Sequence, residues 1–145
     1  MINFAEKQER EDFIKRIQKL DEHSTPSWGK MSVYQMLRHC AMWEEMALGR
    51  QIYKQAFMGK LFGKIALKSM LKDEPVKRNL PSVPSFIITS DGSVSLEKEN
   101  LITLMEEHAQ SPVNFIHPFF GKMTAEQGLL LASKHLDHHL KQFGV

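Results

Sequence analysis

The chain of 145 residues predicts an all-α fold, a bundle of long amphipathic helices. Three observations carry that expectation. Apolar residues recur at three- and four-residue intervals in four stretches. Two of those stretches open on a hydroxyl-x-x-Gln pattern, the capping box that satisfies the free amides of a helix start. Strand character is confined to one short run, Phe86-Ile87-Ile88-Thr89. At this length the chain can bury a core without staples, and residues 1–145 are expected to form one domain.

Composition narrows the function classes. Cys40 is the only cysteine, which excludes an internal disulfide framework and suits a reducing cytoplasm. The opening, Met1-Ile2-Asn3-Phe4-Ala5-Glu6-Lys7, passes straight into charged residues and lacks the apolar region of a signal peptide. No stretch is apolar enough to span a bilayer. A formal net charge of +2 is too small to argue for nucleic acid.

Residues 4 to 22 carry Phe13, Ile17 and Leu20 at helical spacing and read as a first helix, broken by His23-Ser24-Thr25-Pro26-Ser27. A second begins at the box Ser32-Val33-Tyr34-Gln35, with Val33, Met36, Leu37, Cys40 and Ala47 on one apolar stripe. His39, Trp43 and Met46 run along its edge. Cys40 points into the stripe and reads as core. Glu44 projects beside Leu37 and Cys40, where a carboxylate is expected to partner a core polar group rather than act as a base.

Residues 54 to 72 set Phe57, Leu61, Phe62, Ile65 and Leu71 among Lys60, Lys64, Lys68 and Lys72, a short amphipathic helix weakened by Gly59 and Gly63. Such a segment is expected to lay its apolar side on the bundle and leave its lysines solvated. The competing reading makes the chain a non-catalytic interaction module that presents these lysines to an anionic membrane surface or to nucleic acid. Pro75, Pro81 and Pro84 make the next stretch irregular, and Phe86–Thr89 with Asp91-Gly92 is the one place for a small hairpin in an otherwise loop-like segment. From Ser95 to about Gln110, Leu96, Leu101, Leu104 and Met105 predict a third long helix, closed by Ser111-Pro112. His117 then reads as ring packing or a turn hydrogen bond, and His23 and His108 as surface. The box Thr124-Ala125-Glu126-Gln127 opens the last helix.

That last helix carries His135, His138 and His139. At about 100° per residue Leu129, Ala132, Leu136, Leu140 and Phe143 form an apolar stripe, with His135 and His139 along its edge and His138 turned toward water. Side chains four apart share a face, so His135 and His139 can address one ion, but two ligands do not fix it. A repeat points to a third. Trp28-Gly29-Lys30-Met31-Ser32-Val33-Tyr34-Gln35 and Phe120-Gly121-Lys122-Met123-Thr124-Ala125-Glu126-Gln127 share aromatic-Gly-Lys-Met-hydroxyl-x-x-Gln, and each heads a helix with an interior-edge histidine. At about 1.5 Å per residue His39 lies roughly 10 Å from its cap, and His135 and His139 roughly 16 and 22 Å from theirs. Antiparallel helices of about 30 Å bring the three level. Three histidines with positions left over suit a catalytic or ligand-accepting site rather than a closed structural one.

Trp28-Gly29-Lys30-Met31 with His39, Phe119-Phe120-Gly121-Lys122-Met123, and the run His135 to Gly144 resemble a branch of the DinB-like superfamily of metal-binding four-helix bundles, over essentially the whole chain. The resemblance implies an up-down-down-up bundle whose long second crossover carries the extra short helix. It also implies a divalent ion, nickel or zinc, on His39, His135 and His139, and a metal-dependent reaction. Relatives of that kind include bacillithiol S-transferases, a mycothiol-dependent isomerase and hydrolases, so a low-molecular-weight thiol becomes a candidate co-substrate, a small molecule the partner, and a homodimer the assembly. No catalytic residue follows: Leu136 stands where a His-Glu-x-x-His protease places its base. Gly128 and Ser133 depart from the aromatic residues of this branch, which implies a looser first turn and a less bulky site wall.

Overall fold

The computed structural model describes residues 2–145, so only Met1 of the charged opening lies outside it. Five α-helices, α1 Lys7–Gln18, α2 Val33–Ala47, α3 Phe57–Met70, α4 Val94–Gln110 and α5 Ala125–Gln142, are joined by a 3₁₀ turn at Pro84–Phe86 and a two-stranded hairpin, β1 Phe115–His117 and β2 Gly121–Met123. The fold is mostly helical, as the periodicity predicts.

Both capping boxes form completely: Ser32 and Thr124 accept from the backbone of Gln35 and Gln127, whose side chains accept in return from the cap amides. The repeat explains its own glycine. Gly29 and Gly121 both take a left-handed conformation, φ 80° and 79°, so the chain turns in the same sense ahead of both helices. The first helix is shorter than residues 4 to 22, because Phe4 is tied elsewhere: its amide donates to the Ser133 hydroxyl (2.9 Å) and its ring is fully buried.

The strand expectation falls on the wrong segment. Beyond the 3₁₀ turn, residues 87–93 are irregular, and the hairpin lies just before α5. Its register sets Phe115 opposite Met123 and His117 opposite Gly121, with Ile116 and Lys122 outward. His117 fastens the turn: its Nδ1 accepts from the amides of Phe119 (3.0 Å) and Phe120 (3.1 Å).

Ile17, Met36, Leu37, Met46, Leu101, Met105, Leu136 and Leu140 meet in the core, each essentially without exposure. Polar contacts at the helix ends fix how the helices lie. Arg38 reaches Glu97 at the start of α4 while Arg50, just past α2, pairs with Glu107 near its end. Lys98 caps the last carbonyls of the α1 region, Gln18 and Leu20. Arg16, late in α1, binds Asp137 and the Val145 carbonyl. The Ser27 amide donates to the Gln142 carbonyl (2.7 Å), and Trp43 packs on His117, so the start of α2 lies by the end of α5 and its end by the hairpin.

Helix α3 reverses its expected posture. Gly59, Gly63 and Leu67 are the buried positions, whereas Phe57 (73 % exposed), Met58, Leu61, Phe62 and Ile65 (72 % exposed) face solvent. The two glycines are the reason: a Cβ at either would fall far inside contact distance of the Phe119 carbonyl oxygen, so a bare glycine face is what fits against the hairpin. Alanine is worth about 1 kcal/mol over glycine within a helix. Gly63→Ala is nevertheless expected to lower stability, by about 1 kcal/mol or more, because the obstacle is backbone. A raised melting temperature for that variant would contradict this packing. Among the described residues no helix is long and apolar enough to cross a membrane.

Candidate metal centre

His39 lies partway along α2, and His135 and His139 lie one turn apart late in α5. Because the start of α2 sits beside the end of α5, all three reach the same point. His135 Nε2 is 2.8 Å from His39 Nε2 and 3.1 Å from His139 Nε2, and the three candidate ligand atoms lie within 4.8 Å of one another. Such a group could hold a metal ion.

Hydrogen bonds on the far side of two rings orient them for that task. The Nδ1–H of His39 donates to the Phe86 carbonyl (3.0 Å), which leaves Nε2 with a bare lone pair. Gln142 treats His139 likewise. Its amide group donates to the Trp28 carbonyl (2.7 Å), turning its oxygen to accept the His139 Nδ1–H (2.8 Å). Two bare lone pairs therefore face the third imidazole, and a single N–H on His135 can serve only one at a time. A cation would satisfy all three: with metal–nitrogen bonds of about 2.0–2.1 Å, ligand nitrogens sit about 3.3 Å apart. Gln142→Leu is expected to weaken metal affinity by about 10- to 100-fold, in the range of other lost orienting partners. Unchanged affinity by calorimetric titration would deny Gln142 that role.

Electrostatics keeps the cluster neutral. Burial pushes the His39 imidazole below its ordinary value, opposed by the Phe86 carbonyl, and pushes His135 well below, assisted by His139 and His39. Burial, with His39 beside it, takes His139 down to about 3, and burial alone does the same to His117. The unfolded chain protonates these rings near pH 6.5 and the fold does not. Stability is then complete above that pH and falls as pH drops toward 3. From pH 7 to 5 the metal-free protein is expected to lose about 2 kcal/mol for each of His117 and His139. Urea unfolding in chelator at the two pH values checks this; equal stability would contradict it.

Trp43 walls the cluster, its ring 5.2 Å from His135 and 5.1 Å from His117. Its indole N–H is buried without a hydrogen-bond partner among the described residues. Phe86 closes another side, its ring 6.2 Å from His39. His138 stays outside the trio, as its projection implies, but it is half-buried rather than turned to water: Trp28 packs on it and the Val76 backbone bonds to it. Arg78 in turn lies over Trp28, 4.0 Å from the ring centre.

The other titratable groups sort plainly. Cys40 is buried and free, its thiol pushed well up by burial and by Glu44. Glu44 is 2 % exposed and partners a core polar group as expected, but that group is His108, which is fully buried rather than on the surface (Nδ1 to Oε2, 2.6 Å). His23 is exposed. At the two departures the Phe115 ring occupies the space at Gly128, and the Ser133 hydroxyl donates to the Leu129 carbonyl while accepting from the Phe4 amide.

Gln142, Phe86 and Trp43 acquire site roles that the sequence reading did not assign. Gln142 stands three residues after His139, a spacing at which helix side chains meet, so its signal was present. The Phe86 carbonyl arrives from a crossover whose path has no periodic signal.

A family model described as the DinB superfamily matches residues 7–143. No curated protein and no solved structure gives a match.

Proposed function

Since the chain belongs to the DinB superfamily, we propose that it is a metal-dependent enzyme that holds a divalent ion on His39, His135 and His139 and acts on a small molecule, by transfer of a low-molecular-weight thiol or by hydrolysis. The observation that carries this reading is the convergence of three Nε2 atoms, two of them with their Nδ1–H already committed to Phe86 and Gln142. Nickel and zinc are the ions the resemblance implies, and an all-imidazole set accepts either. Such an ion lowers the pKa of a thiol or water bound to it, supplying a nucleophile near neutral pH.

The chain's own residues would hold and shield the ligand. Trp43 and Phe86 exclude water from two sides, and the unpartnered indole N–H of Trp43 is a donor available to an oxygen- or sulfur-bearing ligand. His117 is no base at neutral pH: with Nδ1 accepting two amides its proton sits on Nε2. Glu44 is engaged by His108. The bundle is read as one domain running up-down-down-up through α1, α2, α4 and α5, supported by the end-to-end contacts of Arg38, Arg50, Arg16 and Lys98.

Cobalt-loaded protein tests the reading. Adding a low-molecular-weight thiol should produce thiolate-to-cobalt absorption, and thiol-dependent turnover of electrophiles should vanish with chelator and in His39→Ala. A cobalt spectrum indifferent to thiols, together with turnover that survives His39→Ala, would refute it.

A further inference from the structure

We propose that α3 is a docking helix for anionic lipid bilayers. The glycine seat on Phe119 fixes the rotation of this helix and sends its apolar side outward. At about 100° per residue, Phe57, Leu61, Ile65, Met58 and Phe62 occupy an arc of about 140° away from that seat. Lys60 and Lys64 lie between one edge of the arc and the protein, and Lys68 falls just inside that edge, beside Phe57 and Leu61; all three are exposed. An apolar face bordered by lysines is the arrangement by which a helix lies in a membrane interface, rings and aliphatic chains below the headgroups and ammonium groups among the phosphates.

Charge selects the occupant. From Lys54 to Lys72 there are five lysines and no acidic residue, whereas the remainder of the chain carries 17 acids against 14 bases. The basic charge is gathered where the apolar face is. A second copy fits this face poorly: twofold pairing would set two lysine rows near each other with no carboxylate on the helix to separate them. Nucleic acid would engage the lysines and leave the five apolar side chains in water. An anionic bilayer takes both. The end of α3 is held to the bundle by the Lys134 ammonium, which donates to the Met70 (2.7 Å) and Lys72 (2.6 Å) carbonyls, so the helix is presented as a fixed ridge.

Flotation of the untagged full chain with vesicles of phosphatidylcholine, alone or mixed with phosphatidylglycerol, tests the proposal. The protein should float with the anionic vesicles only, and less at high salt. Exchanging three exposed apolar residues for a good helix former (F57Q/L61Q/I65Q) should reduce binding by about tenfold or more. Reversing the border (K60E/K64E/K68E) should reduce it by about a hundredfold or more. Circular dichroism of both variants should match the parent, since none of the six side chains is buried. Failure of the parent chain to float with anionic vesicles overturns the proposal. So does undiminished flotation of the glutamine variant, or a dimer in sedimentation velocity that the glutamine variant dissolves, which would assign the face to a second copy. Metal content is indifferent to every one of these outcomes.

Discussion

Replacing Glu44 with Leu, or His108 with Leu, should each destabilise the protein by about 3 kcal/mol or more, because the survivor is left buried without its partner. Glu44 and His108 are 2 % and 0 % exposed and meet at 2.6 Å in the interior between α2 and α4. Neither has water to turn to. The double replacement removes both desolvated groups at once, so it should recover most of the loss, and the cycle should return a coupling energy of about 2–3 kcal/mol. Denaturant unfolding of the two single variants and the double variant reads this directly. Additive losses would show that the contact contributes nothing beyond packing.

The second large effect concerns affinity. His39→Ala, His135→Ala and His139→Ala should each weaken binding of zinc or nickel by about 100- to 1,000-fold, since structural zinc sites bind with about 10–16 kcal/mol shared over four ligands. His138→Ala is the internal control. It neighbours His139 in sequence and space yet has its own partners in Trp28 and Val76, so its affinity should stay within about threefold of the parent. Calorimetric titration separates the four variants. A loss in His138→Ala equal to that in His135→Ala would mean the ligand set is wrongly drawn.

Much of the fold was legible because helix signals are local. Ser32 and Thr124 announce their helices through boxes that form as written, and the stripe from Leu129 to Phe143 is buried throughout. The three-histidine group was legible through that same periodicity, with the repeat supplying the link across a hundred residues. What failed was non-local. His108 looks like surface until Glu44, 64 residues away, is brought against it. β-branched and aromatic content makes Phe86–Thr89 the one candidate for a hairpin in a loop-like segment, yet the strands that form are Phe115–His117 and Gly121–Met123, three residues each, with the His117 ring bonding the turn between them. For α3 the wheel was sound but its orientation was not: apolar side chains imply burial, and nothing local says that two glycines will take the seat instead.

The central claim is that His39, about a hundred residues before His135 and His139 in sequence, completes a metal site with them. Elemental analysis of untagged protein, parent beside His39→Ala, after equilibration with zinc and nickel and removal of loosely held ions, tests it most directly. The parent should hold close to one ion per chain and the variant a small fraction of that. Equal and negligible metal in both would contradict it.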